Sequence, residues 1–324
     1  MLYDSLRIGT LELKNRLVMP PMFTGRSRLG HVTDDLVAYY RERALGSAPG
    51  LIITEHSCIT EQGRATAQQL SIVSEELIDE HRRITDAIHE ADCRVAVQLN
   101  HAGNAAEPLD GGEIVSASAV PNPRKKLPAE PRPLTVVEIR DLEARYAEAA
   151  VRALKAGYDA VEIHCAHGYL LNQFYSPLTN LRTDDYGGSL ENRRRFLMET
   201  VALVRSAVGS GCPLLVRLGG ADYLPGGSTE EDAVETCRAL EAAGVDLLDL
   251  SGGMCGYVRP DHPEAGYFGS MTEKICAAVS VPVLLTGGVT RLSEAEALLA
   301  AGKADLIGVG RALYRDPLWA QNAE

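Results

Sequence analysis

One short phrase recurs along this chain and limits what it can fold into. AGYDAVEI (156–163), AGVDLLDL (243–250) and AGKADLIGVG (301–310) each read as a helix end, a glycine turn and an apolar run too short for anything but a buried strand. Gly157, Gly244 and Gly302 fit the left-handed position that closes a helix. Five further runs have the same buried character: RLVMPP (16–21), GLIITE (50–55), RVAVQL (94–99), PLLVRL (213–218) and VPVLLT (281–286). Strands apolar on both faces belong to parallel sheets covered by helices. Eight of them, starting about 41 residues apart, leave room at each step for a strand, a helix and two loops. The expected fold is therefore α/β, a (β/α)8 TIM barrel, with a doubly wound eight-stranded sheet as the alternative.

Helices are expected between the strands. Thr135-x-x-Glu138, Ser228-x-x-Glu231 and Ser293-x-x-Glu296 read as capping boxes, in which side chains satisfy the free amides of a first turn. Leu142, Tyr146, Ala149, Ala150, Ala153 and Leu154 then repeat at helical spacing and leave a charged outer face. The segment 121–133 holds five prolines and is read as a loop or lid. The strand rhythm before it continues after it, so a single domain over residues 1–324 is expected.

Composition excludes several classes of function. No apolar run approaches the roughly 18 to 20 residues that span a bilayer, so no membrane partner is expected. A net charge of −12 repels phosphate backbones, which argues against nucleic acid. The basic clusters Arg124-Lys125-Lys126 and Arg193-Arg194-Arg195 lack interleaved aromatics and read as solvated faces or local ion pairs. Seven cysteines, odd in number and never paired as Cys-x-x-Cys, suggest neither a disulfide framework nor a metal cluster. The first fifteen residues lack the pattern of a signal peptide, and a reducing cytoplasm is the expected location.

Barrels of this kind carry their chemistry on the loops after the strands. The last two candidate strands are followed by TGGVT (286–290) and GVGRALYRDP (308–317). Glycine there lets the backbone approach a phosphate, and Arg311 adds charge-assisted hydrogen bonds, so these loops read as a phosphate cradle. His164, His167 and Tyr169 crowd the end of the fourth strand. A metal pair lacks a third ligand, and no metal is expected; the alternatives are a structural pair or two imidazole donors for a substrate oxygen, with Tyr169 as proton donor. Gln98 and Arg217 interrupt apolar strands, where they face either a polar ligand or, for Arg217, a buried partner such as Asp249 or Glu162.

With these residues assembled, the chain resembles the Old Yellow Enzyme family of flavin-dependent ene-reductases, particularly the 2,4-dienoyl-CoA reductase and 2-enoate reductase type. The words that carry the resemblance are LKNRLVMPPM (13–22), QLNHAG (98–103), the forty-residue block 157–196, VRLGGADYLPGG (216–227), TGGVT and GVGR. It implies FMN at the barrel mouth, with Pro21, Met22, Phe23 and the backbone near His56 against the ring system. Gln98 would meet the pyrimidine edge, Arg217 would sit near N1 and O2, and Gly287, Gly288, Gly310 and Arg311 would hold the phosphate. The implied reaction is ping-pong: NADH or NADPH reduces FMN, and an α,β-unsaturated carbonyl compound then takes hydride at its β-carbon. His164 and His167 would bind the carbonyl, Tyr169 would protonate the α-carbon, and Tyr257, Arg259 and Tyr267 are further possible substrate contacts. A homo-oligomer is also expected.

Two departures qualify the carry-over. Phe23 stands where some relatives have a Cys or Thr able to hydrogen-bond the flavin. The longer relatives carry an iron–sulfur segment and a second nucleotide-binding region beyond the barrel, and the sequence stops at Glu324 before either, so electrons are expected from a nicotinamide docking directly unless a partner supplies them or the chain is a fragment. The competing functions are FMN-dependent oxidation of N-methyl amines, with Tyr175, Tyr257 and Tyr267 as an aromatic cage, and a barrel without catalysis.

Overall fold

All eight apolar runs form strands that pair in parallel with their neighbours in chain order. They are β1 Leu17–Met19, β2 Leu51–Ile53, β3 Arg94–Asn100, β4 Ala160–Cys165, β5 Leu214–Ala221, β6 Leu247–Gly252, β7 Val283–Thr286 and β8 Leu306–Gly308. β8 returns to β1 through Ile307 opposite Leu17 and Gly308 opposite Val18, which closes the ring and excludes the doubly wound sheet. This computed structural model describes residues 1–107, 111–125, 129–259 and 261–322.

A helix follows each strand: α1 Asp34–Gly46, α2 Ile78–His89, α3 Val136–Lys155, α4 Arg195–Val208, α5 Glu230–Ala242, α6 Gly269–Cys276, α7 Leu292–Ala300 and α8 Arg311–Arg315. The three helix-closing glycines have the left-handed φ expected of them, +93° at Gly157, +85° at Gly244 and +67° at Gly302. No helix among the described residues is long and apolar enough to cross a membrane.

Side chains alternate across each strand, and the alternation sorts the core into two parts. Leu17, Met19, Ile52, Val95, Val97, Val161 and Val216 pack outward with the helices. Val18, Leu51, Ile53, Ala96, Ala160, Leu215, Leu247, Leu284 and Leu306 form a separate inner cluster. An antiparallel hairpin, Leu6–Ile8 with Leu11–Leu13, adds Ile8 and Leu13 to that cluster and closes the N-terminal end of the barrel. Two residues further along β3 to β6 the inward positions turn polar, at Gln98, Glu162, Arg217 and Asp249. The change from apolar to polar within the ring points the site toward the C-terminal end.

Only one of the three capping boxes forms in the expected register. Thr135 and Glu138 cap α3 reciprocally. α5 is capped one residue later, by Thr229 with Asp232, because Ser228 is held in a turn in which its amide donates to Asp222 at 2.9 Å. α7 begins at Leu292, so Ser293 lies inside its first turn; Glu294 accepts from the amides of Thr290 and Arg291, and Glu296 instead holds the amide of Leu2 at 2.9 Å. The proline-rich segment is not wholly irregular, since Arg132–Pro133 pairs with Val115–Ser116, an edge position that proline tolerates. Its residues 126–128, including Lys126 of the basic cluster, lie outside the described residues.

Candidate active site

A cavity of about 770 Å³ opens at the C-terminal end of the barrel, within the roughly 300 to 1,000 Å³ typical of small-molecule sites. It gathers every residue singled out as catalytic, cofactor-binding or substrate-binding. The loop after β1 contributes Pro21, Met22 and Phe23, that after β2 His56, and β3 contributes Gln98. β4 and its loop contribute His164, His167 and Tyr169, β5 Arg217, and the loop after β6 Tyr257. Gly287, Gly288, Gly310 and Arg311 line it from the last two strands.

The floor is the polar layer. Gln98 donates to Glu162 at 2.8 Å, and Arg217 Nε lies 3.2 Å from Asp249 Oδ2 on the adjacent strand. Arg217 thus combines both expectations, since it lines the cavity and pairs with a buried acid. The contact is a charge pair without an aligned hydrogen bond, and Arg217 Nε and both Asp249 oxygens have no hydrogen-bond partner among the described residues. Two acids share one cation here. Burial pushes Asp249 up to about 6 against the pull of Arg217, and burial followed by the Asp249 charge pushes Glu162 well above the carboxylate range.

The wall is one tight turn. His167 has a φ of +61° and Gly168 one of +74°, two consecutive left-handed residues that reverse the chain after β4. The short helix Leu170–Tyr175 returns two amides to hold them: Asn172 Oδ1 accepts from Gly168 N at 2.8 Å, and Gln173 Nε2 donates to Gly168 O at 2.7 Å. His164 then lies edge-on to both His167 and Tyr169, each with ring centres 5.1 Å away. His167 Nε2 is 2.7 Å from Ser251 Oγ, whereas His164 Nδ1 is buried without a partner among the described residues. Burial, and then the Arg217 charge, holds both imidazoles well below their ordinary pKa, so they are neutral at pH 7. Burial raises the Tyr169 phenol, which keeps its proton.

At the far side, Gly287 and Gly288 lie under the ring of Tyr267. A Cβ on Gly287 would fall 2.9 Å from that ring, so the absence of side chains permits the contact. Tyr267 donates to Tyr257 O at 2.7 Å, and Arg311 Nη2 reaches the Tyr267 hydroxyl at 3.5 Å. Gln69 fixes His56, with Nε2 2.6 Å from His56 Nδ1. Phe23 stacks on His56, ring centres 6.0 Å apart.

Some placements differ from expectation. Arg124 was grouped with a solvated basic cluster, yet it lines the cavity and donates to the carbonyl of His167. Its neighbour Lys125 does pair locally, with Glu107 at 3.4 Å, and Arg193 and Arg194 reach Asp232 and Glu235. Tyr175 does not face the cavity; it is sealed in the core with its hydroxyl donating to Gly220 O at 3.2 Å. Ser251, Gln69, Arg259 and Arg315 also serve the site, but only Arg259 stood out in the sequence. Among the described residues no three His, Cys, Asp or Glu side chains form a metal-ligating group.

Comparison with known proteins bears on the family and the fold. The sequence profile of the NADH:flavin oxidoreductase / NADH oxidase family matches residues 1–324. An NADPH dehydrogenase of Bacillus subtilis is 39% identical over 325 residues, covering 99% of this chain and 94% of the relative. A metal reductase of Desulforamulus reducens is 40% identical over 322 residues, 98% of this chain, and the chain spans only 48% of that protein's length. Among solved structures, an old yellow enzyme homologue from Zymomonas mobilis superimposes with a TM-score of 0.85 at 29% identity, over 98% of this chain and 90% of its own. Morphinone reductase in complex with tetrahydroNAD gives 0.86 at 27% identity, over 99% and 89%.

Proposed function

The chain belongs to the NADH:flavin oxidoreductase / NADH oxidase family, and from that membership we propose that it is an FMN-dependent ene-reductase that uses NADH or NADPH to saturate the alkene of an α,β-unsaturated carbonyl compound. The observation that carries this reading is the turn after β4, which sets two neutral imidazoles and a protonated phenol around one point of the cavity.

The residues present fit FMN. Arg217 Nε, His164 Nδ1 and Thr286 Oγ1 are buried polar atoms without hydrogen-bond partners among the described residues, and all three belong to residues that line the cavity. Gln98 and Arg217 would hold the polar edge of the ring system, Pro21, Met22, Phe23 and His56 its apolar surround, and Gly287, Gly288, Gly310 and Arg311 the phosphate. FMN, when bound, supplies the redox chemistry, taking up two electrons and a proton from the nicotinamide and returning them to the β-carbon of the alkene.

The chain's own groups do the rest. With Nε2 accepting the Ser251 hydroxyl hydrogen, His167 carries its own hydrogen on Nδ1 and donates it to the substrate carbonyl beside His164. Both donors strengthen as enolate charge develops on that oxygen. Tyr169, whose hydroxyl lies on the same wall, delivers the proton to the α-carbon. Burial and the nearby Arg217 charge keep the imidazoles neutral, so they act as hydrogen-bond donors and not as a competing positive charge.

The test separates the two half-reactions by stopped flow. His164→Ala and Tyr169→Phe are expected to slow alkene reduction by pre-reduced enzyme on the order of 100-fold relative to reduction of the flavin by NADPH. Alkene reduction at the wild-type rate in both variants would refute the assignment. Amine oxidation is disfavoured by the cavity itself: Tyr175 is absent from it, and its described lining includes five arginines and no Asp or Glu to receive a cation.

A further inference from the structure

The cavity carries a charge opposite to that of the molecule around it. The chain has a net charge of −12, yet Arg124, Arg217, Arg259, Arg311 and Arg315 line the cavity and no Asp or Glu does among the described residues. Four of the five arginines have evident work. Arg217 pairs with Asp249 beneath the floor. Arg311 and Arg315 begin and end α8, beside the glycines proposed to hold the phosphate. Arg259 lies 4.0 Å from the centre of the Tyr223 ring and 3.6 Å from Asp261.

Arg124 is left over. It makes no ion pair among the described residues, and its side chain spans three loops. Its backbone amide is fixed by Asn122 Oδ1 at 2.9 Å in the loop after β3, its guanidinium donates to the His167 carbonyl in the loop after β4, and it lies 5.9 Å from the ring centre of Tyr257 in the loop after β6. Gly256, with a φ of +83°, makes room for it, since a Cβ there would fall 2.5 Å from Arg124 Nη2. One of its five N–H donors is committed to His167, and the others have no hydrogen-bond partner among the described residues, which leaves them for a ligand.

We propose that Arg124 and Tyr257 form an anion-binding subsite for the oxidising substrate, which carries a carboxylate or phosphate group remote from its reactive carbonyl. The identity of that carbonyl rests on the ene-reductase reading; the anion subsite does not. A substrate oxygen held by His164 and His167 directs the remainder of the molecule toward Arg124, because His167 touches both. The planar guanidinium offers paired donors to an oxyanion, and the ring of Tyr257 shields the contact from water on one side. The arginine-lined mouth on an acidic surface also draws anions inward from solution.

The test compares an acid with its neutral ester. 4-Oxocyclohex-2-ene-1-carboxylate and its methyl ester serve as acceptors, and the two saturated counterparts serve as unreactive ligands measured by calorimetry on the oxidised holoenzyme. Arg124→Met is expected to lower the acid-over-ester ratio, in both kcat/KM and binding, by roughly 10- to 100-fold, the loss of one hydrogen bond to a charged group. Arg124→Lys is expected to retain part of the preference, and wild-type binding of the acid is expected to weaken with salt. A ratio unchanged in Arg124→Met would overturn the proposal, because an arginine that merely supports His167 affects acid and ester alike. So would an unchanged ratio accompanied by a lost preference between NADPH and NADH, which would assign the anion to the nicotinamide. If the wild type binds the acid preferentially, loses that preference in Arg124→Met, and reduces neither acceptor, the subsite stands and the ene-reductase reading fails.

Discussion

Gln173, in the short helix after β4, donates to the carbonyl oxygen of Gly168 at 2.7 Å, in the turn that carries His167 and Tyr169 and follows His164. The same side chain donates to Ala102 O at 3.0 Å and accepts from Asn104 N at 3.1 Å and Ser116 Oγ at 2.9 Å. Every hydrogen-bonding position of this amide is used, and the loops after β3 and β4 are joined through it. Gln173→Leu leaves those groups buried and unpaired. It is expected to destabilise the fold by about 2–4 kcal/mol in urea denaturation and to slow alkene reduction at least tenfold, because the histidines lose their fixed spacing.

Arg217 is the single cation between two buried acids, and Arg217→Met removes it while keeping its volume. The expected cost is about 3–5 kcal/mol near pH 8. The sign with pH follows from the raised carboxyls. Glu162 and Asp249 ionise near 4 when unfolded and only at higher pH in the barrel, about 6 for Asp249 in the wild type, so folding takes up protons between those values and stability falls as pH rises through them. The deficit of Arg217→Met should therefore shrink markedly at pH 5, which denaturation at the two pH values measures.

Glu143 on α3 and Glu199 on α4 share a hydrogen bond, and Tyr186 donates to Glu199 at 2.7 Å. Burial, and then the Glu199 partner, pushes Glu143 up to about 8. An unfolded glutamate ionises near 4.3, so between roughly pH 4.3 and 8 unfolding releases a proton and the fold weakens as pH rises. Glu143→Gln cancels that slope. Its melting temperature relative to wild type is expected to be higher at pH 8 than at pH 5, and a difference that is constant with pH would contradict the pairing.

Gly288 has a φ of +72°, and a Cβ there would lie 3.0 Å from the Tyr267 ring and 3.2 Å from Glu264 O. Gly288→Ala is expected to cost about 1–3 kcal/mol in backbone strain and to lower the ratio of flavin to protein in the purified enzyme. Retention of a full complement of flavin would show that the phosphate is held elsewhere.

How much of this was legible depended on whether one residue's chemistry decided its place. The strands were readable because parallel strands bury both faces, and Arg217 announced the floor because a guanidinium inside PLLVRL needs a polar ligand or a buried acid to face. The capping register was not readable after Ser228: Ser228 and Thr229 offer the same hydroxyl, and only the turn held by Asp222 separates them. Arg124 was hidden because it stands in the run Arg124-Lys125-Lys126, which reads as a local charge cluster, while its partners lie on loops about 40 and 130 residues away. Tyr175 carried a usable signal that was missed, since it sits one turn after Leu171 on a buried helix face.

The hairpin plugs the N-terminal end, and among the described residues the cylinder opens at its C-terminal mouth. On the proposed function, reductant and oxidant would share that mouth in turn, each departing before the other is admitted. Crowding by either guest will therefore stall the cycle: an excess of acceptor should occupy the oxidised enzyme unproductively, and an excess of nicotinamide the reduced one.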